Sequence, residues 1–187
     1  MLFRMHVTIV SSTPDNSNPQ ADVAHTTWRD EADCQRMAEQ WAAMLGPALR
    51  EQASVVIELH GTLGAGKTTF TRYLLRALGV QGRIKSPSYA VVEPHEVPGM
   101  AIWHFDFYRF NDPQEWEDAG FRDLFGSPGL KLVEWPEKAE GLLPPADLKL
   151  TLTPLDENQR NATVEASTPA GKQWLTDLKN TRGGIHD

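Results

Sequence analysis

Residues Gly61-Thr62-Leu63-Gly64-Ala65-Gly66-Lys67-Thr68 match G-x-x-x-x-G-K-[ST] at every fixed position. A loop of this kind dictates its surroundings. Its glycines let backbone N–H groups curl round a phosphate without Cβ clashes, and the helix that must follow adds the positive field of its N-terminus. A lysine in the place of Lys67 reaches β/γ-phosphates, and a hydroxyl in the place of Thr68 is set to ligand Mg²⁺. The flanks agree. Ser54 to His60 is a β-branched run of the kind found in a buried strand. Phe70, Tyr73, Leu74, Ala77 and Leu78 fall on one helical face, and Gly79 stands where a C′ glycine ends a helix. Strand, loop and helix in this order imply a nucleoside triphosphate site.

The rest of the chain predicts an α/β fold. The spacing of Cys34, Met37, Ala38, Trp41 and Leu45 predicts a helix capped by Thr27 and stopped by Gly46-Pro47. Residues 1–26 read as a flexible polar leader, 27–180 as one domain and 181–187 as a short tail. Tyr89–Val92 and Ala101–Tyr108 predict a hairpin, with Pro94 to Gly99, and so His95, in its turn. On its second strand Trp103, Phe105 and Phe107 share one face, and His104, Asp106 and Tyr108 share the other. Asp112-Pro113 opens a short helix, and Gly120 to Gly129 reads as a loop-rich stretch. Leu130–Glu134 is a strand that ends in an acid and is interrupted by Lys131. A second hairpin crosses Asp156 to Gln159, and Thr168-Pro169 opens a last helix. Strands and helices around a P-loop predict an α/β P-loop NTPase sandwich, its central sheet mixed, partly parallel and flanked by helices.

Composition narrows the chemistry. The 25 acidic residues against 18 Lys and Arg give a net charge of −7, which argues against a protein whose main task is gripping a phosphate backbone. The lone Cys34 excludes an intrachain disulfide and reads as a small buried hydrophobe on a helix. No run nears the about 18 apolar residues of a membrane span, so a cytoplasmic location without membrane contact is expected. An Asn-Lys-x-Asp guanine reader is absent from the sequence, and Arg109, Arg122 and Arg160 are scattered rather than gathered as a kinase lid would gather them. Subtraction leaves an ATPase or an ATP-dependent switch.

Four segments then occur in order: His60 to Phe70, Ser86-Pro87-Ser88-Tyr89, His104-Phe105-Asp106-Phe107-Tyr108-Arg109, and Glu134-Trp135-Pro136-Glu137. Together they closely resemble the TsaE (YjeE) family, the P-loop ATPase of bacterial tRNA threonylcarbamoyladenosine biosynthesis. The resemblance runs from about Thr27 to Leu178. It implies an accessory subunit that binds a TsaD–TsaB pair and hydrolyses ATP with Mg²⁺, poorly alone and better in the complex. That pair transfers threonylcarbamoyl to adenosine 37 of tRNA, and tRNA is met mainly through it. Thr62 stands where relatives usually carry an acid or amide, and Ser88 where most carry threonine.

The residues expected to hold the nucleotide are Gly61, Thr62, Leu63, Gly64, Ala65, Gly66, Lys67, Thr68, Thr69, Ser88 and Trp135. Thr68, Asp106 and Glu134 are expected at the metal, and Asp106 and Glu134 as the acids acting on Mg²⁺ or the attacking water, their individual parts left open. His104 is expected to hydrogen-bond near the site. Arg109 stands between a tie to the phosphates or partner and a plain surface salt bridge. Trp135 is open between stacking on the nucleotide, lining a partner face and packing in the core. A small-molecule kinase and a non-hydrolysing ATP-dependent interaction module are the competing classes.

Overall fold

In the computed structural model, which describes residues 22–180, the P-loop sits at the middle of a seven-stranded sheet. The chain runs β1 (Asp22–Trp28), α1 (Glu31–Arg50), β2 (Ser54–His60), α2 (Lys67–Ala77), β3 (Val92–Val97), β4 (Met100–Asp106), α3 (Pro113–Asp118) and α4 (Phe121–Gly126). It continues as β5 (Gly129–Glu134), a 3-10 turn (Pro136–Ala139), β6 (Leu148–Pro154), β7 (Arg160–Ala166) and α5 (Pro169–Asn180). Sheet order is β1-β7-β6-β2-β5-β4-β3. The central strands β4, β5, β2 and β6 are parallel, and β1, β7 and β3 join antiparallel at the two sides. This is the mixed α/β sandwich of a P-loop NTPase. Ligands of such sheets bind at the carboxyl ends of the parallel strands, where Glu134 and Asp106 end β5 and β4 side by side.

Alternation divides the sheet into two cores. Val55, Ile57 and Leu59 of β2 and Leu130 and Leu132 of β5 meet α1, α2 and α5 in one core. Trp41 of α1 and Phe70 of α2 meet edge to face there at 5.2 Å, the Phe70 burial alone worth roughly 3 kcal/mol of transfer free energy. Val56, Phe105 and Val133 point the other way, into an aromatic core with Phe107, Trp116, Phe121 and Phe125. Because Phe105 and Phe107 fill that second core, His104 and Asp106 are turned to the face that carries α2 and the P-loop. The polar and aromatic faces read from the sequence hold for His104 and Asp106 against Phe105, but β4 ends at Asp106 rather than Tyr108, and Phe107 and Tyr108 lie past its end.

Several elements depart from the sequence reading. Residues 22–26, expected in the leader, form β1 with Thr27 and Trp28, paired along β7 from Asp22–Ala166 to Trp28–Arg160. Only Ala24, Thr26 and Trp28 turn inward, too small a signal among polar neighbours. Thr27 is consequently a strand residue, and Asp30 caps α1, its carboxylate accepting from the Asp33 amide at 3.0 Å. Residues 1–21 of the expected leader, and the expected tail 181–187, lie outside the described residues. Helix α1 also runs through Pro47 to Arg50, because the fully buried Leu45 and Leu49 hold its last turn against the core. The first hairpin is shifted: Tyr89 and Ala90 lie before β3, and Pro94 and His95 are strand residues. Pro94 is tolerated because β3 is an edge strand. Within the expected loop, Phe121 and Phe125 make one turn of helix α4, too short to show a period.

Candidate functional site

The P-loop geometry follows from its glycines. Gly61 has φ +134°, and a Cβ there would sit 2.5 Å from the Leu152 carbonyl oxygen of β6, so nothing larger fits. Gly66 (φ +110°) takes the N-cap position of α2 and offers no side chain to satisfy the first-turn amides. Those amides are left facing the loop, as an anion site requires. Lys67 is 5% exposed. Its Nζ donates to the Gly61 and Thr62 carbonyls at 2.6 and 3.0 Å and lies 3.9 Å from the centre of the Trp135 ring. Burial pulls its ammonium below the usual lysine value, while Glu134, Glu137 and Asp106 act to hold it up.

The acids converge on this lysine. Glu134 and Asp106 are paired across adjacent parallel strands, and both are almost wholly buried. Glu134 Oε2 accepts the Thr68 hydroxyl at 2.9 Å, and its Oε1 meets His104 Nε2 at 2.9 Å. A carboxylate only accepts, so Nε2 is the donor. Asp106 Oδ1 accepts the Tyr108 amide at 2.9 Å, and Oδ2 accepts the Ser86 hydroxyl. Trp135 sits in the left-handed region (φ 58°) directly after Glu134. That turn lays its ring over Lys67 and 5.0 Å from the Tyr108 ring, and the half-buried ring also packs against the edge of the aromatic core, so it stands between the site and that core.

These groups line a cleft of about 340 Å³ with Leu63 to Thr69, Ser86, Ser88 and Arg109. Among the described residues Arg109 forms no salt bridge; its guanidinium stacks 4.3 Å from the Tyr89 ring centre. A second cleft of about 180 Å³ lies across the loop, sharing Gly64, Ala65, Gly66 and Thr69 and adding Trp28, Asp30, Cys34, Asn158 and Arg160. A larger one, about 590 Å³ between α1 and α2, gathers neither P-loop amides nor this acid pair. Cys34 is buried, and burial pushes its thiol up to about 12, as suits a packing residue.

All of the nucleotide residues expected from sequence therefore meet at the loop, with Asp106 and Glu134 at one end. The sequence reading missed Ser86, Trp28 and Arg160. Ser86 stood in view within Ser-Pro-Ser, but nothing local joins Arg160 to a loop 95 residues earlier, where its Nε bonds the Ala65 carbonyl at 3.0 Å. The arrangement suits Mg²⁺ bound with a nucleotide. Such an ion takes one or two carboxylates, a hydroxyl and phosphate oxygens rather than an all-protein cage, and among the described residues no group of three or more His, Cys, Asp or Glu is set to hold a metal. No helix among them is long and apolar enough to cross a membrane.

The profile of a family described as TsaE, threonylcarbamoyl adenosine biosynthesis protein TsaE, matches residues 28–162. The chain belongs to the TsaE family. A Haemophilus influenzae protein described as tRNA threonylcarbamoyladenosine biosynthesis protein TsaE is 40% identical over 151 residues, covering 81% of this chain and 94% of the relative. The Aquifex aeolicus protein of the same description is 35% identical over 136 residues, covering 72% of this chain and 90% of that one. The crystal structure of YdiB from Bacillus subtilis superposes with a TM-score of 0.68 over 86% of this chain and 96% of the other, at 22% identity, and shares the fold. The stretch matched to TsaE reaches from Trp28 past Arg160 and so spans both clefts.

Proposed function

We propose that this TsaE protein acts in tRNA threonylcarbamoyladenosine biosynthesis as a Mg²⁺-dependent ATPase of the cytoplasm. The observation that carries the reading is the convergence of Lys67, Thr68, Asp106 and Glu134 on one cleft at the start of α2. The loop would hold the phosphates of ATP, with Asp106 and Glu134 at the reacting end and the cleft of Trp28 and Asn158 open to the nucleoside. Lys67 exchanges the Gly61 and Thr62 carbonyls for β/γ-phosphate oxygens. Thr68 keeps its hydroxyl proton on Glu134 and turns an oxygen lone pair to the metal. Bound Mg²⁺ neutralises charge that builds on the phosphates during transfer. Glu134 and Asp106 would hold the ion through its water and orient the attacking water, and one of them would take that water's proton as its oxygen bonds the γ-phosphorus and ADP leaves with the β,γ-bridging oxygen.

The partner in this reading is the TsaD–TsaB pair, which performs the threonylcarbamoyl transfer. Its need is suggested by the cleft itself. Arg109 is the one arginine among the described residues lining it, and its guanidinium is engaged by Tyr89. A partner supplies the missing cation and excludes water, so the isolated protein hydrolyses ATP slowly. The net charge of −7 leaves most of the tRNA contact to the partners. Asp106→Ala tests the site. ATP turnover in the presence of the pair falls by about a hundredfold or more while ATP affinity survives. Unchanged turnover contradicts the assignment, and a phosphorylated acceptor in place of free phosphate indicates a kinase.

A further inference from the structure

We propose that Arg160 is a nucleotide-positioning residue that sets the P-loop before nucleotide arrives; the inference rests on the nucleotide reading of the cleft. Its Nε donates to the Ala65 carbonyl at 3.0 Å. Its Nη1 faces the carbonyls of Asp156, Glu157 and Gln159 at 2.9, 3.2 and 2.9 Å. One side chain thus ties the β6–β7 turn to the P-loop. A peptide unit is planar and trans, so its C=O and N–H point in opposite directions. With the Ala65 carbonyl drawn outward by Arg160, the Gly66 N–H is turned to the opposite side, into the loop. The Ala65 N–H is held too, by the Thr62 carbonyl at 3.1 Å, so the residue before Gly66 is fixed at both its amide and its carbonyl. Gly66, at φ +110° and without a Cβ, has no side chain of its own to enforce that orientation.

The charge is placed as usefully as the bond. Arg160 lines the cleft that shares Gly64, Ala65, Gly66 and Thr69 with the acid-lined one. It lies across the loop from Asp106 and Glu134, neither of which shares its cleft. Its own cleft also carries Asp30, Glu31 and Glu157, so the Arg160 cation acts on the loop from the nucleoside side while Asp106 and Glu134 stand at the reacting end. The two contributions separate in an experiment: Arg160 governs affinity for ADP and ATP alike and leaves turnover at saturation unchanged.

ADP and ATP binding by calorimetry, thermal melting, and turnover at saturating ATP would be measured for wild type, Arg160→Gln, Arg160→Lys and Asp156→Ala. Asp156 caps the same turn, its Oδ1 accepting the Asn158 and Gln159 amides at 2.8 and 2.7 Å, without touching the P-loop. Arg160→Gln is expected to weaken ADP and ATP about tenfold or more, the loss of a charge-assisted bond, with turnover within about twofold of wild type. Asp156→Ala lowers the melting temperature and keeps ADP affinity. Arg160→Lys, which reaches one partner set but not both, falls between wild type and Gln and serves if the Gln variant fails to fold. Wild-type ADP affinity in both Arg160 variants, or an equal loss in Asp156→Ala, overturns the inference and makes Arg160 a turn anchor alone. A wild-type protein that binds neither nucleotide overturns the nucleotide reading instead.

Discussion

Lys131→Met isolates one electrostatic cost that the fold carries. The Lys131 side chain is wholly out of solvent in β5. Its Nζ donates to Ser54 Oγ at 2.8 Å and the Gly129 carbonyl at 3.3 Å, and also to the Ser127 carbonyl, and lies 5.3 Å from the Trp103 ring centre. No carboxylate among the described residues forms an ion pair with it. Burial therefore dominates and pulls its pKa from 10.5 down to about 8, with the charge of Asp147 opposing. At about 1.4 kcal/mol for each tenfold, that gap is worth about 3 kcal/mol. The unfolded chain holds the proton more tightly than the fold, so the penalty is complete below about pH 8 and is relieved as pH rises toward 10.5. Methionine has similar length and no charge, but it leaves the Ser127 and Gly129 carbonyls without this donor at a cost of about 1–3 kcal/mol. Near pH 7 the two effects almost cancel; the pH profile does not. Urea unfolding of both proteins at about pH 7 and about pH 10 is expected to show wild type gaining about 2.5 kcal/mol on the variant. Parallel profiles would refute the reasoning and mean that the ammonium is solvated or paired in the fold.

Two substitutions probe the site in other ways. Gly61→Ala drives a Cβ to within 2.5 Å of the Leu152 carbonyl at φ +134°. A loss of at least about 2 kcal/mol in unfolding free energy, together with loss of nucleotide binding, is expected; a normal melt with normal binding would mean that the loop has room. His104→Ala removes the donor on Glu134 Oε1 and is expected to lower turnover roughly tenfold with ADP affinity little changed, while His104→Gln, which restores an N–H, recovers most of it. Equal effects of the two variants would reduce His104 to a packing residue.

What the sequence made legible was what local spacing controls. The P-loop, β2, α2, the β6–β7 hairpin and α5 follow from period and punctuation, and the alternation of His104 and Asp106 against Phe105 and Phe107 correctly gave one polar and one aromatic face. Features that depend on a distant partner were hidden. β1 shows only Ala24, Thr26 and Trp28 to the core and exists because β7 supplies its ladder. Pro47 reads as a stop, yet the burial of Leu49 beyond it carries α1 onward. Lys131 looked like a flaw in a strand; its ammonium is taken up by Ser54 and by carbonyls at the start of β5. Among the site residues, Glu134 was readable as the acid that ends a strand and Asp106 from the polar face of the expected strand Ala101–Tyr108, whereas Arg160 touches the P-loop only through the sheet order that sets β6 beside β2.

The most direct measurement is ATP hydrolysis by the purified protein alone and then with the TsaD–TsaB pair and tRNA, with Lys67→Ala as the blank. Slow turnover alone, strong stimulation by the pair, and loss of both in the Lys67 variant are predicted. Turnover that ignores the pair, or that survives removal of the Lys67 ammonium from its place between the P-loop carbonyls and the acids, would contradict the account.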